Sequence, residues 1–477
     1  MTIGFRLLSE NWGGESDLVK VFNHWVGFRT LMQVLFDFSF VVVGIVLTTM
    51  WVDSGLPVDL HGVAIYAVIL AICVLTLNAW LGFYQRVHSR TVQQTRARAV
   101  LSLYLAVPLA YGLFVLLPAV QMSREFLQLS AMSAVFGMLV NRVNSAHSSP
   151  TQMLLRRILV FGVGAKALAV QRALVKSDPS ALIVGFYPSP TEEEVKVPVD
   201  MILSRKDSLS DTAAKQNAAE IVVAVTERRG GVLPLRELLD CRLNGMRVYD
   251  LASHFEQTLG QIRLDSLYAG WLIFGDGFRQ DVFRSLVKRA FDLVCSLILL
   301  MLAAPVMALT TLFIVLESGF PVFYRQERVG YNGRLFHVIK FRSMRTDAEK
   351  DGKPRWAVAG DDRVTKVGRV IRKLRIDELP QLISVLKGDM SLVGPRPERP
   401  FFVDKLTKEI PFYAVRHSVK PGVTGWAQVR YHYGASVEDS AEKLQYDLYY
   451  VKNHSLFLDL VVLMETVGVV LTAKGAQ

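Results

Sequence analysis

The sequence predicts a three-part membrane protein: an α-helical bundle that crosses the bilayer, a small α/β domain, and a C-terminal α/β unit fronted by an apolar helix that enters the membrane without crossing it. Three observations carry this. Four apolar runs fall within residues 1–150, strand and helix patterns alternate over 151–265, and one more apolar run, Phe291 to Val315, precedes a stretch dense in cations, carboxylates and prolines within 266–477. Composition agrees. Hydrophobic residues make up 51% of the chain and mean hydropathy is +0.30, high for a soluble protein. A formal net charge of +11 suits a face held against anionic lipid and a pocket for phosphorylated ligands. It would also suit nucleic acid, but no zinc-ligand spacing or RNA-binding motif is present, so no nucleic-acid partner is expected. Cys73, Cys241 and Cys295 form no paired framework and read as buried thiols of a reducing compartment.

The first thirty residues mix charge with aromatics and lack a basic start followed by an apolar core, so no cleavable signal peptide is expected. Leu31 to Val52, Val63 to Tyr84 and Ala99 to Val120 are each about 22 residues long, enough to span; Phe126 to Val143, at about 18, is marginal. The connection from Asp53 to Gly62 has no Lys or Arg, whereas Gln85 to Arg98 carries four arginines and Arg142, Arg156 and Arg157 follow the fourth run. By the positive-inside rule both ends of this bundle are cytoplasmic. Asp37 lies inside the first run; an acid there is functional or paired, and a structural role is the simpler reading.

Arg157 to Phe161 reads as a buried strand, and Gly162-Val163-Gly164-Ala165-Lys166-Ala167 opens a helix. Strands over Ala181 to Tyr187 and Glu220 to Val225 complete a small α/β domain. The G-x-G-x-x-A turn could seat a pyrophosphate on a helix N-terminus. The second strand, however, ends Tyr187-Pro188-Ser189, with no acid for a ribose hydroxyl. The domain therefore reads as a degenerate Rossmann-like module with a regulatory or structural role.

From Gln280 to Arg289 the chain is amphipathic, suited to lying on a membrane surface. The following run of about 25 apolar residues is long enough to span. Parity argues otherwise: after four crossings a fifth would export every charged motif that follows, and both flanks are basic, with Lys288 and Arg289 before and Arg325 and Arg328 after. Pro305 removes a helix hydrogen bond near the middle. A helix-break-helix over about 288–316 that dips into one leaflet satisfies all three.

Gly368 to Leu382 places the adjacent carboxylates Asp377 and Glu378 after four cations, Arg369, Arg372, Lys373 and Arg375. Cations stabilise ionised carboxylates and also hold substrate phosphates. Charge pattern alone equally describes a solvated basic helix with an acidic end. Arg396, between Pro395 and Pro397, presents its fork of donors from a stiff turn. Upstream, Lys340 and Arg342 in Lys340-Phe341-Arg342-Ser343-Met344 are two apart on a strand and share a face. The segment His417 to Trp426 holds glycines and an aromatic that could close over a base or sugar, and reads nearly as well as a structural turn. Tyr446-Asp447-Leu448-Tyr449-Tyr450 suits the headgroup region, and Leu456 to Leu471, with Asp459 and Glu465, reads as an interfacial or packed helix rather than a span.

Asp377-Glu378-Leu379-Pro380-Gln381-Leu382, Gly394-Pro395-Arg396-Pro397 and Pro421-Gly422-Val423-Thr424-Gly425-Trp426 resemble the bacterial sugar transferase family of monotopic polyprenyl-phosphate glycosyl-1-phosphate transferases. The resemblance covers roughly 285–475 and, in order, spans several long motifs. Lys288-Arg289-x-x-Asp292 followed by Pro305 resembles the family's re-entrant helix, whose basic pair meets lipid phosphates; the family often has Ser-Pro at the break where this chain has Ala304-Pro305. Four N-terminal spans with a degenerate Rossmann-like domain resemble the family's larger members.

The resemblance implies a magnesium-dependent enzyme. Asp377 would be the nucleophile on the sugar-bearing phosphate of a UDP-sugar, releasing UMP, and Glu378 would help Asp377 hold or orient the metal. Arg372 and Arg396 match phosphate-binding positions, Lys340, Arg342 and Asp447 further site positions. Undecaprenyl phosphate would then take the phosphosugar, the first membrane step of exopolysaccharide synthesis, in the bacterial inner membrane with the catalytic domain facing the cytoplasm. A homodimer is the expected oligomer. A direct displacement would use the same residues; a UDP-releasing glycosyltransferase and a catalytically inactive membrane sensor are the rival readings.

Overall fold

The computed structural model describes residues 18–21, 24–52, 60–81, 83–84, 92–116, 131–132, 135–140, 156–177, 181–190, 194–225, 233–267, 278, 282–345, 363–431, 434 and 436–471. They divide into two compact units. One runs from Trp25 to Leu259, and the other from Gly260 to the C-terminal end with Lys20–His24 attached.

Two short strands, β1 (Leu18–Val21) and β2 (His24–Gly27), precede the helices of the first unit, α1 (Phe28–Val52), α2 (Leu60–Trp80) and α3 (Val92–Leu116). Stretches of α1 and α2 are long and apolar enough to cross a membrane. The expected third span is a shorter apolar stretch, Arg98–Leu113, because α3 begins in the basic segment and only its later turns are apolar. Most of the expected fourth run lies outside the described residues, as does the first half of the arginine-rich connection. Val41, Tyr66, Leu70 and Val135 form the bundle core. Asp37, 1% exposed, accepts the Tyr84 hydroxyl at 2.8 Å, and Asn78 accepts Ser102 at 2.6 Å. These buried polar groups of the bundle are thus satisfied internally.

The α/β region contains β3 (Arg156–Phe161), α4 (Ala165–Ser177), β4 (Ala181–Tyr187), α5 (Leu209–Lys215), β5 (Glu220–Val223), α6 (Leu235–Leu243), β6 (Arg247–Asp250) and α7 (Leu251–Leu259). Its sheet is parallel, ordered β4-β3-β5-β6, and β6 is a strand that sequence patterning did not predict. Gly162 turns the chain out of β3 at φ 126°, a region that favours glycine. The carbonyl of Val163, between the two glycines, accepts Lys196 N at 2.9 Å, and Val163 packs with Val197 in the core. The chain's own 194–197 segment therefore lies over the glycine turn. Buried Glu220 is neutralised from both neighbouring strands, by Arg156 at 3.3 Å and Arg247 at 3.1 Å. None of the three cysteines is in a disulfide; Cys241 is buried, while Cys73 and Cys295 are only half-buried.

The second unit opens with α8 (Val282–Ser318), then the antiparallel hairpin of β7 (Phe323–Val329) and β8 (Leu335–Phe341), turned at Asn332 and Gly333. There follow α9 (Lys366–Lys373), α10 (Gln381–Lys387), β9 (Ser391–Val393), α11 (Pro400–Glu409), β10 (Gly422–Thr424), α12 (Trp426–Arg430), α13 (Val437–Asn453) and α14 (Leu456–Leu471). The interruption expected at Pro305 is not seen: α8 is helical through it. Proline removes one hydrogen bond and introduces a bend without forcing its neighbours out of helical dihedrals.

Both ends of α8 are fastened to the same unit. Near its start Lys288 pairs with Asp459 at 2.6 Å, Arg289 donates to Val385 O and Leu386 O, and Asp292 accepts Leu392 N at 3.2 Å. Near its end Ile314 joins Val322, Phe341 and Ile371 in a core, and Gly319 closes the helix at φ 68°. Between them Leu297, Met301, Leu302 and Leu309 are exposed. Lys288 and Arg289, expected to meet lipid phosphates, thus have partners within the protein.

Candidate active site

Two residues past the end of α9, Arg375, with a left-handed backbone (φ 59°, ψ 16°), reverses the chain into a single 3-10 turn, Ile376–Glu378; Pro380 then caps the start of α10. A left-handed non-glycine residue costs about 1 kcal/mol, so packing on both sides must hold this reversal. It sets Asp377 and Glu378 side by side, 9% and 8% exposed.

The two carboxylates have different partners. One Glu378 oxygen receives both Lys340 Nζ and Arg396 Nη2, each at 2.8 Å. Asp377 Oδ1 is buried with no hydrogen-bond partner among the described residues. Burial alone would raise the Glu378 carboxyl, but the charges of Arg396 and Lys340 override it and hold it well below the carboxylate range. Burial, reinforced by the neighbouring Glu378 charge, raises Asp377 to about 6 against the pull of Lys340, Arg396 and Arg375. Lys340 is lowered by burial, with Glu378 opposing. The outcome is one carboxylate committed to the two cations and one with an orphaned oxygen, charged at neutral pH but weakly held. That second group is suited to act as a nucleophile or as a ligand of a hard cation.

Arg396 is held by its backbone. The carbonyls of Pro395, Arg396, Pro397 and Glu398 accept, in turn, Gly422 N, Arg416 Nη2, Arg328 Nη1 and Val329 N, at 3.0, 2.8, 3.1 and 2.9 Å. Strands β9 and β10 pair in parallel beneath this turn. A Cβ on Gly394 would overlap Lys420 O, and one on Gly422 would overlap Gly394 N, so both glycines are required by close approach. The Gly-Pro-Arg-Pro and Pro-Gly-Val-Thr-Gly segments are therefore one folded piece, and the second braces the first.

The structure brings Asp377, Glu378, Lys340 and Arg396 together. The side chain of Arg372, in the last turn of α9, makes no hydrogen bond or ion pair among the described residues, which leaves it available to a ligand. Arg342 is elsewhere engaged: it is 7% exposed, and its Nη2 donates to Ser318 O, Ser318 Oγ and Gly319 O, capping α8. Asp447 stands behind Arg396, ion-paired to Arg416 at 2.8 Å; burial raises it to about 6 against the Arg416 charge. It supports the site through Arg416.

Trp426 does not close over a ligand. It is 2% exposed, donates to Gly260 O at 2.7 Å and stacks on Tyr449. His24, brought from the start of the chain, packs edge-on against it and bonds Tyr449 Oη at 2.8 Å. Burial, then the Arg430 charge, lowers His24 to about 4 and keeps it neutral. Tyr449 and Tyr450, expected in the headgroup region, are also interior. Helix α14 packs through Leu458, Asp459 and Val462, as expected of a helix that does not span.

Sequence reasoning missed Arg375, Arg416 and Arg328. Arg375 was visible only as one of several cations, and the other two act through carbonyls distant in sequence. Among the described residues no three His, Cys, Asp or Glu side chains gather as a metal cage. Asp377, with its unpartnered oxygen, fits a magnesium ion of the kind bound by one or two carboxylates together with substrate phosphates.

Known proteins resemble the chain over the region that holds these residues. Residues 283–473 match the family model described as bacterial sugar transferase. The chain is 45% identical over 242 residues to the UDP-N-acetylgalactosamine-undecaprenyl-phosphate N-acetylgalactosaminephosphotransferase of Aeromonas hydrophila, covering 51% of this chain and 56% of that protein. It is 45% identical over 193 residues to the UDP-glucose:undecaprenyl-phosphate glucose-1-phosphate transferase of Caulobacter vibrioides, covering 40% of this chain and 71% of that one. It is 44% identical over 192 residues to the uncharacterized sugar transferase EpsL of Bacillus subtilis, covering 40% of this chain and 91% of the relative. The chain thus spans about half the length of the Aeromonas relative and nearly all of EpsL. With a fastened acid, an unfastened acid and a braced arginine in the region these proteins share, the chain belongs to the bacterial sugar transferase family.

Proposed function

We propose that the chain transfers a sugar-1-phosphate from a UDP-sugar to undecaprenyl phosphate, yielding undecaprenyl-diphosphate-sugar and UMP. The observation that carries this is the division of labour in the dyad, one Glu378 oxygen taken by both Lys340 and Arg396 while Asp377 keeps an oxygen with no partner among the described residues. An Asp377 carboxylate oxygen attacks the sugar-bearing phosphorus. The bond from that phosphorus to the bridging oxygen breaks, and UMP leaves with that oxygen and its electron pair. A phosphate oxygen of the acceptor then attacks the same phosphorus and Asp377 is released unchanged. Lys340 and Arg396, held by Glu378, stand where negative charge accumulates on the phosphoryl oxygens. Arg372 is assigned to the donor's phosphates. Magnesium, held by Asp377 with Glu378 orienting, would neutralise pyrophosphate charge when bound.

The acceptor is a lipid, and α8 is its route to the site. Both ends of α8 dock on the same polar unit, which supports an apolar helix that enters one leaflet, bends at Pro305 and returns, leaving the dyad on the side from which it entered. Positive-inside loops make that side the cytoplasm of a bacterial inner membrane. The Rossmann-like domain is assigned a regulatory or structural role, the whole chain to the first step of exopolysaccharide assembly, and its oligomer to a homodimer.

The test is UMP release by protein in nanodiscs with magnesium, polyprenyl phosphate and a panel of UDP-sugars. Release with one donor, abolished by Asp377→Asn, is expected. Release of UDP, or unchanged turnover in the variant, would sink the assignment.

A further inference from the structure

The two helices that flank the dyad are both capped by the membrane helix. Dyad residues 377 and 378 lie between the C-terminal end of α9 and the N-terminal end of α10. The far end of α10 is its C-terminus, where the carbonyls of Val385 and Leu386 accept Arg289 Nη1 and Nη2 at 2.6 and 2.9 Å. The far end of α9 is its N-terminus, where Lys366 N and Val367 N donate to the two carboxylate oxygens of Glu317 at 2.8 and 3.0 Å. Arg289 and Glu317 belong to the first and last parts of α8, and each has the charge that its helix end favours.

Glu317 is the less replaceable jaw. The first amides of a helix have no intrahelical acceptor. In α9 Thr365 Oγ1 satisfies only Gly368 N, at 2.9 Å, and Glu317 takes the other two. Besides Glu317, the start of α9 is held by Val367, which packs on the core that Ile371 and Ile314 share, and by Thr365 N, which donates to Ser343 O at 3.1 Å; Val370, Lys373 and Leu374 are exposed. Arg372 and the left-handed Arg375 then follow directly, so a slip at the start of α9 is transmitted to the dyad turn.

We propose that Glu317 is a positioning residue, through which the seating of the membrane helix fixes α9 and thereby the attack geometry of Asp377. This rests on the transferase reading above. Glu317 touches no substrate; it acts through two backbone amides.

The experiment compares wild type, Glu317→Ala and Glu317→Gln as full chains in nanodiscs. It reads kcat and both KM values for UMP release, the thermal midpoint, and amide hydrogen exchange over 366–378. Loss of a helix cap and of the geometry it holds should lower kcat in the alanine variant about three- to tenfold, with both KM values within about twofold of wild type. Exchange should quicken from 366 through the dyad turn. Glutamine keeps one carbonyl acceptor and should restore at least part of kcat. An alanine variant with wild-type kcat overturns the proposal. So does a kcat loss that only tracks loss of folded protein, or a glutamine variant as slow as alanine, which would assign the effect to charge. If wild type releases UMP from no donor, the transferase reading itself has failed; exchange then decides alone, unchanged protection at 375–378 overturning the positioning role and quickened exchange there supporting it.

Discussion

Replacing Glu378 by glutamine should move the acid limb of activity in the direction opposite to that of a lost nucleophile. In the native site Asp377 is raised to about 6 by burial and by the Glu378 charge. Asp377 must be ionised to attack, so kcat/KM is full above that value and falls as pH drops through it. The neutral amide would remove the repelling charge and also strand Lys340 and Arg396, each of which gives up a 2.8 Å ion pair. Those cations would turn to the remaining acid, and a carboxylate that gains a buried cationic partner drops by about 1–3 pKa units. Asp377 would then titrate at about 3–5. Its attack would also weaken, since an ion-paired oxygen is a poorer nucleophile; losing the arrangement that holds two phosphate-facing donors should lower the plateau on the order of 10²-fold. The assay is UMP release against pH at fixed saturating magnesium, fitted for kcat/KM. A lower plateau with its acid limb shifted to lower pH is expected. An unmoved limb, or one shifted upward, would refute the view that Glu378 sets the charge state of Asp377.

Other perturbations separate support from chemistry. Trp426→Ala should destabilise the C-terminal unit by about 3–5 kcal/mol, the range for emptying a buried aromatic site, seen as a lower thermal midpoint; a raised donor KM in protein that stays fully folded would return Trp426 to the ligand. Arg416→Met frees the Arg396 carbonyl and leaves Asp447 buried without its cation. Donor kcat/KM should fall about tenfold or more, and an unchanged value would show that the turn holds Arg396 without this brace.

Much of the architecture was legible because lipid imposes long apolar runs, and α1, α2 and α8 stand out for that reason alone. The dyad and Arg396 were visible as a local charge anomaly. What could not be read was which acid takes the cations: Asp377 and Glu378 are neighbours in sequence, and only the backbone reversal at Arg375 determines that Lys340 and Arg396 both reach the second. Strand β6 was missed because Arg247–Asp250 is four residues long and runs straight into α7. Trp426 looked like a platform beside glycines, but those glycines serve a backbone contact. Glu317 gave no local signal, for it caps amides 49 and 50 residues away.

The mutual approach of Gly394 and Gly422 has a consequence for how such sequences can be recombined. Each glycine leaves empty the space into which the other's strand fits, and the obstructing atoms are main-chain atoms that no substitution removes. A side chain at either site cannot be accommodated by trimming its partner. The two loops thus fit only as a pair, and chimeras between relatives should keep 390–398 and 418–426 from a single parent, since a mismatch in either backbone would be read out at Arg396 before it showed anywhere else.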